Sequence, residues 1–486
     1  MKYPEVKNFI GGQFVHDNNK RINITSPLNN VFISSVPLST YTDVELAVKN
    51  AQNAFSAWNG MTSKMRSQIF YNYRQIVEQN IAELAAIIHH ENGKTIDEAT
   101  AEVKKSIELT EFACSIPQIA TGEVLEVSQG VECRSEYTPL GIVACINPFN
   151  FPHMVPHWTI PNALMLGNCI IAKPSEFTPI TSMKIAEMFK EAGLPDGVLS
   201  IVNGNREVVE AICDNPEIKA VSFVGSTDVA KTVYRRATSN LKRCLALGGA
   251  KNHLIVLPDA NLELSATDIA ASMCGSSGQR CMAASVMIAV GNVNPLIKKL
   301  CEEAAEYIPG KNLPPLITKK SFKDISNYID EAVKKGAKIL LDGRKFKLDE
   351  NADENGNYIG ATIIDWRNTN EKMPEREVFG PVFEIISAKS IEEAIEIQQK
   401  SPLGNACSAF TQNGGIAKMI AQQATAGMIG INIGVPVPRE PFSFGGVNSS
   451  KFGTGDITGK SSIQFWTNLR KITSKWAKHE KADWMS

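Results

Sequence analysis

Features typical of exported, membrane-spanning and nucleic-acid-binding proteins are missing from this sequence of 486 residues. Its first residues contain no apolar core of the kind found in secretory signal peptides. The one long uncharged stretch, 137–172, is interrupted by five prolines, whereas a membrane helix needs about 20 apolar residues in a row. Lys and Arg number 50 against 51 Asp and Glu, so no basic nucleic-acid-binding surface is expected. We therefore expect a cytoplasmic globular protein that binds neither membrane nor nucleic acid.

Disulfide, metal and common nucleotide-binding signatures are also lacking. The ten cysteines include no CxxC pair, and a chain of this length does not depend on a disulfide framework. No HExxH motif or other His/Cys metal spacing occurs, so no metal site is predicted. Neither GxGxxG after an early strand nor GxxxxGK[ST] is present, and Gly453, Gly455 and Gly459 have the wrong spacing. A reduced compartment is expected, in which an unusually placed cysteine is a candidate nucleophile.

Helical and strand patterns alternate through the chain. A capping box is predicted at 42–45, opening a helix that ends at 59–60, and a second helix is predicted over about 63–91. β-Rich runs alternate with helical patterns at 182–192, 206–215 and 228–237, which predicts a parallel sheet covered by helices on both faces. Those runs are 141–146, 169–172, 199–202, 220–224 and 254–257. A second α/β stretch is predicted over about 250–430, with a helix at 325–335 and a strand at 382–387.

The segment 124–137 interrupts the first α/β stretch with two alternating runs around Gln129-Gly130, the pattern of a β-hairpin. An arm that pairs with another subunit and a simple surface hairpin are about equally compatible with this pattern. The segment 461–472, near the end of the sequence, is also predicted to be a strand.

Cys281 follows a glycine-containing turn, 276–280, instead of lying in an apolar strand. Main-chain N–H groups in such a turn can stabilise a thiolate, which would make this cysteine a nucleophile. The alternative is a small buried apolar side chain, the commonest role of a free cysteine. The residues around Cys281 do not decide between the two.

Four further segments decide in favour of the nucleophile. They are NPFNFP at 147–152, KPSE at 173–176, FVGST at 223–227 and EVFGP at 377–381. With GQRC at 278–281 they resemble the motifs of the NAD(P)-dependent aldehyde dehydrogenase family, in that family's order and spacing, over essentially the whole chain. The resemblance implies an α/β fold with a parallel Rossmann-type cofactor domain (1–121 and 140–247), a second α/β catalytic domain (248–440) and a small β oligomerisation arm (122–139 and 457–476). By the same analogy the protein is a homodimer or homotetramer.

The resemblance assigns the covalent chemistry to two residues. Cys281 matches the nucleophile, whose thiolate attacks the aldehyde carbonyl to give a thiohemiacetal oxyanion. Asn150 matches the amide donor of the oxyanion hole, with the Cys281 N–H as the second donor. Hydride transfer to the nicotinamide then leaves a thioester on Cys281.

The resemblance also assigns the contacts of the NAD cofactor. Lys173 and Glu176 correspond to the residues that hold the adenosine ribose, and the charge of Glu176 favours NAD because a 2′-phosphate would be repelled. The remaining residues correspond to the pyrophosphate turn (Gly225 and Ser226) and to the nicotinamide-ribose carboxylate with its aromatic neighbour (Glu377 and Phe379).

One departure indicates the branch of the family. Most members carry Glu-Leu-Gly-Gly, in which the glutamate activates water to hydrolyse the thioester; anchored on Gly248-Gly249, this sequence has Ala246 there. Loss of a general base removes about 10²–10⁴-fold of rate, so a thiol acceptor is favoured. The segments GAKNH (249–253) and GQRCMA (278–283), with the C-terminal motifs, resemble the CoA-acylating methylmalonate-semialdehyde dehydrogenase branch. Coenzyme A is therefore predicted as co-substrate, giving acetyl-CoA or propionyl-CoA with CO₂.

That branch implies a substrate carboxylate held by cations. Arg280 stands beside the nucleophile, while the arginine expected in an early helix is replaced by Lys105. Lysine keeps the charge but loses the bidentate geometry, so the substrate is held differently or is another semialdehyde.

Two alternatives stay open: a hydrolytic aldehyde dehydrogenase with a base recruited from elsewhere, and a catalytically silent protein that has kept the fold.

Overall fold

The computed structural model describes residues 2–16 and 20–476. Its strands, in chain order, are β1 (Asn8–Ile10), β2 (Gln13–Val15), β3 (Arg21–Thr25), β4 (Phe32–Pro37), β5 (Val124–Ser128), β6 (Val131–Pro139), β7 (Ile142–Ile146), β8 (Cys169–Lys173), β9 (Leu199–Ile201), β10 (Ile218–Val224), β11 (Arg243–Leu247), β12 (Asn252–Val256), β13 (Ala284–Val290), β14 (Lys338–Leu341), β15 (Thr362–Asp365), β16 (Val382–Ala388), β17 (Leu403–Gly404), β18 (Ala406–Phe410), β19 (Met428–Ile431), β20 (Val447–Asn448), β21 (Lys451–Phe452) and β22 (Thr467–Lys475). Its helices are α1 (Tyr41–Gly60), α2 (Ser63–Gln79), α3 (Ile81–Asn92), α4 (Ile96–Ile119), α5 (Met154–Met165), α6 (Ile180–Glu191), α7 (Arg206–Asp214), α8 (Thr227–Ser239), α9 (Leu262–Cys274), α10 (Asn294–Ala305), α11 (Lys319–Lys334), α12 (Ile391–Gln399), α13 (Gly414–Gln423) and α14 (Gly459–Trp466).

The first sheet has eight strands in the order β2-β1-β9-β8-β7-β10-β11-β21. Its centre is parallel, as predicted, and β7 and β8 are buried along their whole length because helices cover both faces. Ile146 lies opposite both Lys173 and Phe223, so the carboxyl ends of three strands are level. The loops that follow β7, β8 and β10 therefore meet at one edge, where ligands bind in sheets of this kind.

The second sheet has seven strands in the order β14-β15-β16-β13-β12-β18-β19. It includes β12, so the prediction that the run 254–257 continues the first sheet is wrong. The strand that continues the first sheet after α8 is β11. Only 248–251 separate β11 from β12, and a parallel crossover needs about a dozen residues or more, so the chain passes to a new sheet instead.

The predicted hairpin is confirmed as β5 and β6, with Gly130 in the left-handed region of its turn at φ 72°. β22 pairs with β6 along nine residues, from Thr467 opposite Pro139 to Lys475 opposite Val131. The prediction of a strand over 461–472 is wrong in its first half, which is the end of α14. The reason is packing: α14 buries Ile463, Phe465 and Trp466 rather than extending along the hairpin.

Two helix predictions are corrected as well. The capping box of α1 is formed by Thr40 and Asp43, two residues earlier than predicted. The single helix predicted over 63–91 is two helices, because the chain turns at Asn80 between α2 and α3. Gly93 ends α3 in the left-handed conformation at φ 90°. Across 2–16 and 20–476, no helix combines the length and apolarity needed to cross a membrane.

Candidate active site

A cavity of about 800 Å³ lies at the carboxyl edge of the first sheet, closed on one side by segments of the second. Its wall brings together all eight residues predicted to serve as nucleophile, oxyanion donor or cofactor contacts: Asn150, Lys173, Glu176, Gly225, Ser226, Cys281, Glu377 and Phe379. These positions are spread over more than 200 residues of sequence. Five of them lie at or just after the level carboxyl ends of β7, β8 and β10, and the other three, Cys281, Glu377 and Phe379, lie in loops that precede β13 and β16.

The loop that carries Cys281 has an unusual backbone. Ser276, Ser277 and Gly278 all lie in the left-handed region, at φ 50°, 51° and 67°. A Cβ added to Gly278 would lie 2.1 Å from the carbonyl oxygen of Gly380, so only glycine fits there. Such left-handed residues are held by their surroundings and are common at functional sites.

The main chain of Cys281 is fixed from the second sheet. Its carbonyl accepts hydrogen bonds from Asn252 Nδ2 and Asn405 Nδ2, each at 2.9 Å. The thiol is half-buried, and burial raises its pKa to about 12, with a further increase from the charge of Glu377. Nearby main-chain N–H groups and Arg280 lower this pKa, as the turn predicted, but by less than burial raises it. The thiol form is therefore favoured in this state.

Asn150 faces the cysteine loop. Its Nδ2 donates to the carbonyl of Gln279 at 2.9 Å, two residues before Cys281. The loop of Asn150 is also held from behind, since Asn92 Nδ2 donates to the carbonyl of Phe149 at 2.8 Å. An amide held in this way beside the thiol can donate to an oxyanion formed there.

The opposite end of the cavity has groups suited to a dinucleotide. Lys173 is buried and forms an ion pair with Glu176 at 3.1 Å, which offers both a donor and an acceptor to ribose hydroxyls. α8 begins just after Gly225, with Ser226 as its N-cap. The free N–H groups and dipole of a helix N-terminus favour a phosphate group.

Glu377 and Phe379 lie in the loop between β15 and β16 of the second sheet. Glu377 Oε1 accepts the N–H of Ala250 at 2.9 Å, and burial raises the pKa of this carboxyl to about 7. The segment before it is held by Lys251, whose Nζ donates to the carbonyls of Pro374 and Arg376 at 2.8 and 3.1 Å. Phe379, at φ 54°, packs edge-on against Phe149.

The two predicted carboxylate-binding cations are already engaged and are not among the residues that line this cavity. Arg280 Nη2 donates to the carbonyls of Ala271 and Ser272, at 2.8 and 3.0 Å, near the end of α9. Its buried Nε has no hydrogen-bond partner within the described ranges. Lys105 Nζ contacts carboxylates of Glu440 at 2.9 Å and Glu108 at 3.0 Å.

Ala246 is completely buried in β11, opposite Phe223 and Phe452. No carboxylate stands at this position. The carboxylates that do line the cavity, in the part of the chain that the structure describes, are Glu176, Glu210 and Glu377. Of these, Glu377 acts on the pKa of Cys281. No group of three or more His, Cys, Asp or Glu side chains suited to a metal ion occurs among the described residues.

Several supporting residues were not predicted from the sequence. Lys94 and Glu102 contact the main chain around Asn150, and Glu98 contacts the turn that precedes Cys281. A signal for them existed: Lys94 directly follows the glycine that ends α3, and two glutamates four residues apart share one face of a helix. The partners of the Cys281 carbonyl, Asn252 and Asn405, are separated by 153 residues in sequence, from 252 to 405, and no local pattern joins them.

Comparison with known proteins shows the family to which this chain belongs. Residues 14–472 match the model of the aldehyde dehydrogenase family. The chain is 40% identical over 485 residues to the mitochondrial acylating methylmalonate-semialdehyde/malonate-semialdehyde dehydrogenase of Rattus norvegicus, covering 98% of this chain and 90% of that protein. It is 40% identical over 481 residues to the malonate-semialdehyde dehydrogenase of Bacillus velezensis, covering 97% and 98%.

Among solved structures, it is similar to a methylmalonate-semialdehyde dehydrogenase candidate from Sinorhizobium meliloti crystallised with NAD. The TM-score is 0.95 at 38% identity, covering 99% of this chain and 100% of that one.

Proposed function

Because this chain belongs to the aldehyde dehydrogenase family, we propose that it oxidises a malonate-type semialdehyde with NAD and passes the acyl group to coenzyme A. One observation carries this proposal: Cys281 and Asn150 line one cavity with a set of dinucleotide-binding groups, while the position of the usual hydrolytic glutamate holds buried Ala246. The substrate is methylmalonate or malonate semialdehyde. The products are propionyl-CoA or acetyl-CoA, with CO₂ from the substrate carboxylate.

In the first half-reaction the Cys281 thiol loses its proton to solvent and its sulfur attacks the aldehyde carbon. A C–S bond forms while the carbonyl π bond opens to an oxyanion. The resulting oxyanion accepts a hydrogen bond from Asn150 Nδ2, and losing one such donor typically costs about 3–4 kcal/mol of barrier. NAD, when bound, supplies the acceptor for the hydride that leaves this carbon, which becomes a thioester carbonyl. Lys173, Glu176 and Glu377 would hold its ribose hydroxyls, and Gly225 and Ser226 its pyrophosphate.

Before the second half-reaction the C–C bond to the substrate carboxylate breaks and CO₂ leaves. The electron pair of that bond passes to the α-carbon as a thioester enolate, which takes a proton from solvent, so an acetyl or propionyl thioester remains on Cys281. In the second half-reaction the thiol of coenzyme A attacks the carbonyl carbon of that thioester. The bond from that carbon to Cys281 breaks, and Cys281 recovers a proton. A thiol needs less assistance from a base than water does, which fits a site with alanine at the usual base position.

Arg280 is the cation we propose for the substrate carboxylate, together with Lys105. Two main-chain carbonyls hold Nη2 of Arg280 in place. Its Nε–H is buried and has no hydrogen-bond partner among the described residues, so it is available to donate to a substrate carboxylate. Arg280→Leu is expected to raise KM for malonate semialdehyde far more than KM for uncharged propanal. Equal losses on both substrates would show that Arg280 only caps α9.

We also propose a domain organisation and an assembly. The domains are a cofactor domain (1–121 and 140–247), a catalytic domain (248–440) and an oligomerisation arm (122–139 and 457–476). The protein forms a homodimer or homotetramer through the arm of β5, β6 and β22. The support is the exposure of Val124, Leu125 and Val127 on that arm. We also propose a cytoplasmic location, supported by ten cysteines that are all free.

The decisive experiment is rapid mixing of enzyme, NAD and semialdehyde without coenzyme A. A burst of about one NADH per active site is expected, followed by slow turnover, because hydride transfer proceeds while deacylation stalls. Coenzyme A should restore turnover and yield an acyl-CoA. Fast formation of a free acid without coenzyme A would overturn the proposal in favour of hydrolysis, with Glu377 as the candidate base because of its pKa of about 7. No NADH under any condition would identify a catalytically silent protein.

A further inference from the structure

Lys94 and Glu102 form an ion pair behind the Asn150 loop, with side chains only 2% and 0% exposed. Burying two charges costs a large desolvation free energy, which good geometry and additional hydrogen bonds must offset. The contacts that these two side chains make are therefore informative.

Both side chains bind the main chain around Asn150. Lys94 Nζ donates to the carbonyl of Asn150 at 2.6 Å and lies 3.7 Å from the centre of the Phe151 ring. Glu102 Oε1 accepts the N–H groups of His153 at 2.8 Å and Met154 at 3.1 Å, at the start of α5. The pair thus holds the chain on both sides of the residue that carries the amide.

The same face of α4 also holds the other catalytic loop. Glu98 lies one turn before Glu102, and its Oε1 accepts the N–H of Ser276 at 2.6 Å, in the left-handed turn that leads to Cys281. Residues four apart are neighbours on a helix surface. One helix face therefore contacts the main chain of both loops.

We infer that Lys94 and Glu102 are positioning residues that set the Asn150 amide against the oxyanion formed on Cys281. The inference rests on the proposed function, because it takes Asn150 as the oxyanion donor. Neither residue is among those lining the cavity, so each acts through the main chain of the Asn150 loop.

The test is a set of variants measured by the rate of the NADH burst at saturating NAD. Lys94→Met/Glu102→Gln removes both charges, so no unpaired buried charge remains. Asn150→Ala is expected to slow the burst about 10²–10³-fold. The double variant should slow it about 10–100-fold, since a displacement of about 1 Å has effects of that size. Combining all three substitutions should be no slower than Asn150→Ala alone.

The matched control is the other buried pair, Lys251 and Glu384, with side chains 3% and 1% exposed. Lys251→Met/Glu384→Gln removes a similar pair that holds the Glu377 segment, so it should raise the Kd for NAD. Any factor by which it slows the burst at saturating NAD should multiply with the factor caused by Asn150→Ala. Should Lys94→Met/Glu102→Gln fail to fold, Lys94→Gln/Glu102→Gln replaces it, since this variant also removes both charges and its amide at position 94 can still donate a hydrogen bond.

The inference is supported if Lys94→Met/Glu102→Gln slows the burst in the wild-type background but not in the Asn150→Ala background, and leaves the Kd for NAD unchanged. An unchanged burst, or a loss that multiplies with that of Asn150→Ala, overturns it. If Asn150→Ala itself reacts as fast as wild type, the proposed role of Asn150 fails instead, so the two failures are distinct.

Discussion

Cys281 combines a nucleophile's position with a thiol whose pKa burial raises to about 12. The residues around it left a structural role open, and the wall of the cavity brings it together with Asn150, the proposed oxyanion donor. The turn before Cys281 has three residues in the left-handed region, and its last position, 278, must be glycine because the carbonyl of Gly380 leaves no room for a Cβ.

Cys281→Ala should abolish NADH formation and leave NAD binding nearly intact, because only the sulfur that forms the covalent bond is removed. Stopped-flow NADH absorbance and an NAD titration measure the two effects. Cys301→Ala, at another half-buried cysteine, is the matched control and should behave as wild type. Normal turnover by Cys281→Ala would refute the assignment.

Glu377 should make NAD binding depend on pH. Its pKa is raised to about 7, so the carboxylate that accepts ribose hydroxyls is present above that pH and lost below it. The Kd for NAD should therefore rise as the pH falls from about 8.5 to about 5.5, and Glu377→Gln should bind more weakly with a nearly flat profile. A wild-type Kd constant over this range would show that Glu377 does not contact the cofactor.

Sequence motifs located the residues of the cavity wall because each motif sits at a strand end, where the local pattern is informative. Lys94 and Glu102 were not predicted, because they bind main-chain atoms of residues 150, 153 and 154. Contacts to the main chain do not depend on the partner's side chain and so leave no pattern in the sequence.

At the scale of elements, the passage from β11 to β12 shows what periodicity cannot decide. The run 254–257 is short and apolar, so its pattern predicts a strand but not the sheet to which that strand belongs. β11 was not predicted as a strand. Connection length gave the missing information, since 248–251 is too short for a crossover. The end of α14 was mistaken for strand because Ile463, Phe465 and Trp466 are apolar in either reading.

α4 and the segment at Glu440 set the environment of Lys105. Glu440 is a largely buried partner, 11% exposed, at 2.9 Å and would compete with a substrate carboxylate. Glu440→Gln should lower KM for malonate semialdehyde about 3- to 10-fold, or roughly 1 kcal/mol, with no change for propanal.

Glu108→Gln is the matched control, because Glu108 contacts the same amine but is 47% exposed, where ion pairs contribute little. Steady-state kinetics on both aldehydes decides. A higher KM for the anion, or equal shifts for both aldehydes, would remove Lys105 from the substrate site.

At the scale of the whole molecule, the arm carries an exposed apolar edge strand, β5, which is a surface prone to pairing. Val127→Lys should shift the protein to a smaller assembly in analytical ultracentrifugation, because a buried lysine at a subunit interface is costly. Val333→Lys, at a valine of similar exposure on α11, should leave the mass unchanged. An unaltered mass for Val127→Lys would exclude this face as an interface.

The edge strand β21 determines when, during synthesis of the chain, the first sheet can be completed. The outer partner of β11 is Lys451–Phe452. Asn162 of α5 donates to the hydroxyl of Ser462, and Asn168, just before β8, donates to the carbonyl of Trp466. A ribosome that has finished residue 247 must add roughly 200 more residues, about 10–40 s of synthesis, before the first sheet can close. During that interval seven of the eight strands have been made, and the unpaired edge of β11 is open to chaperones and to other nascent chains. Truncation before residue 451 therefore leaves the amino-terminal half itself unfinished.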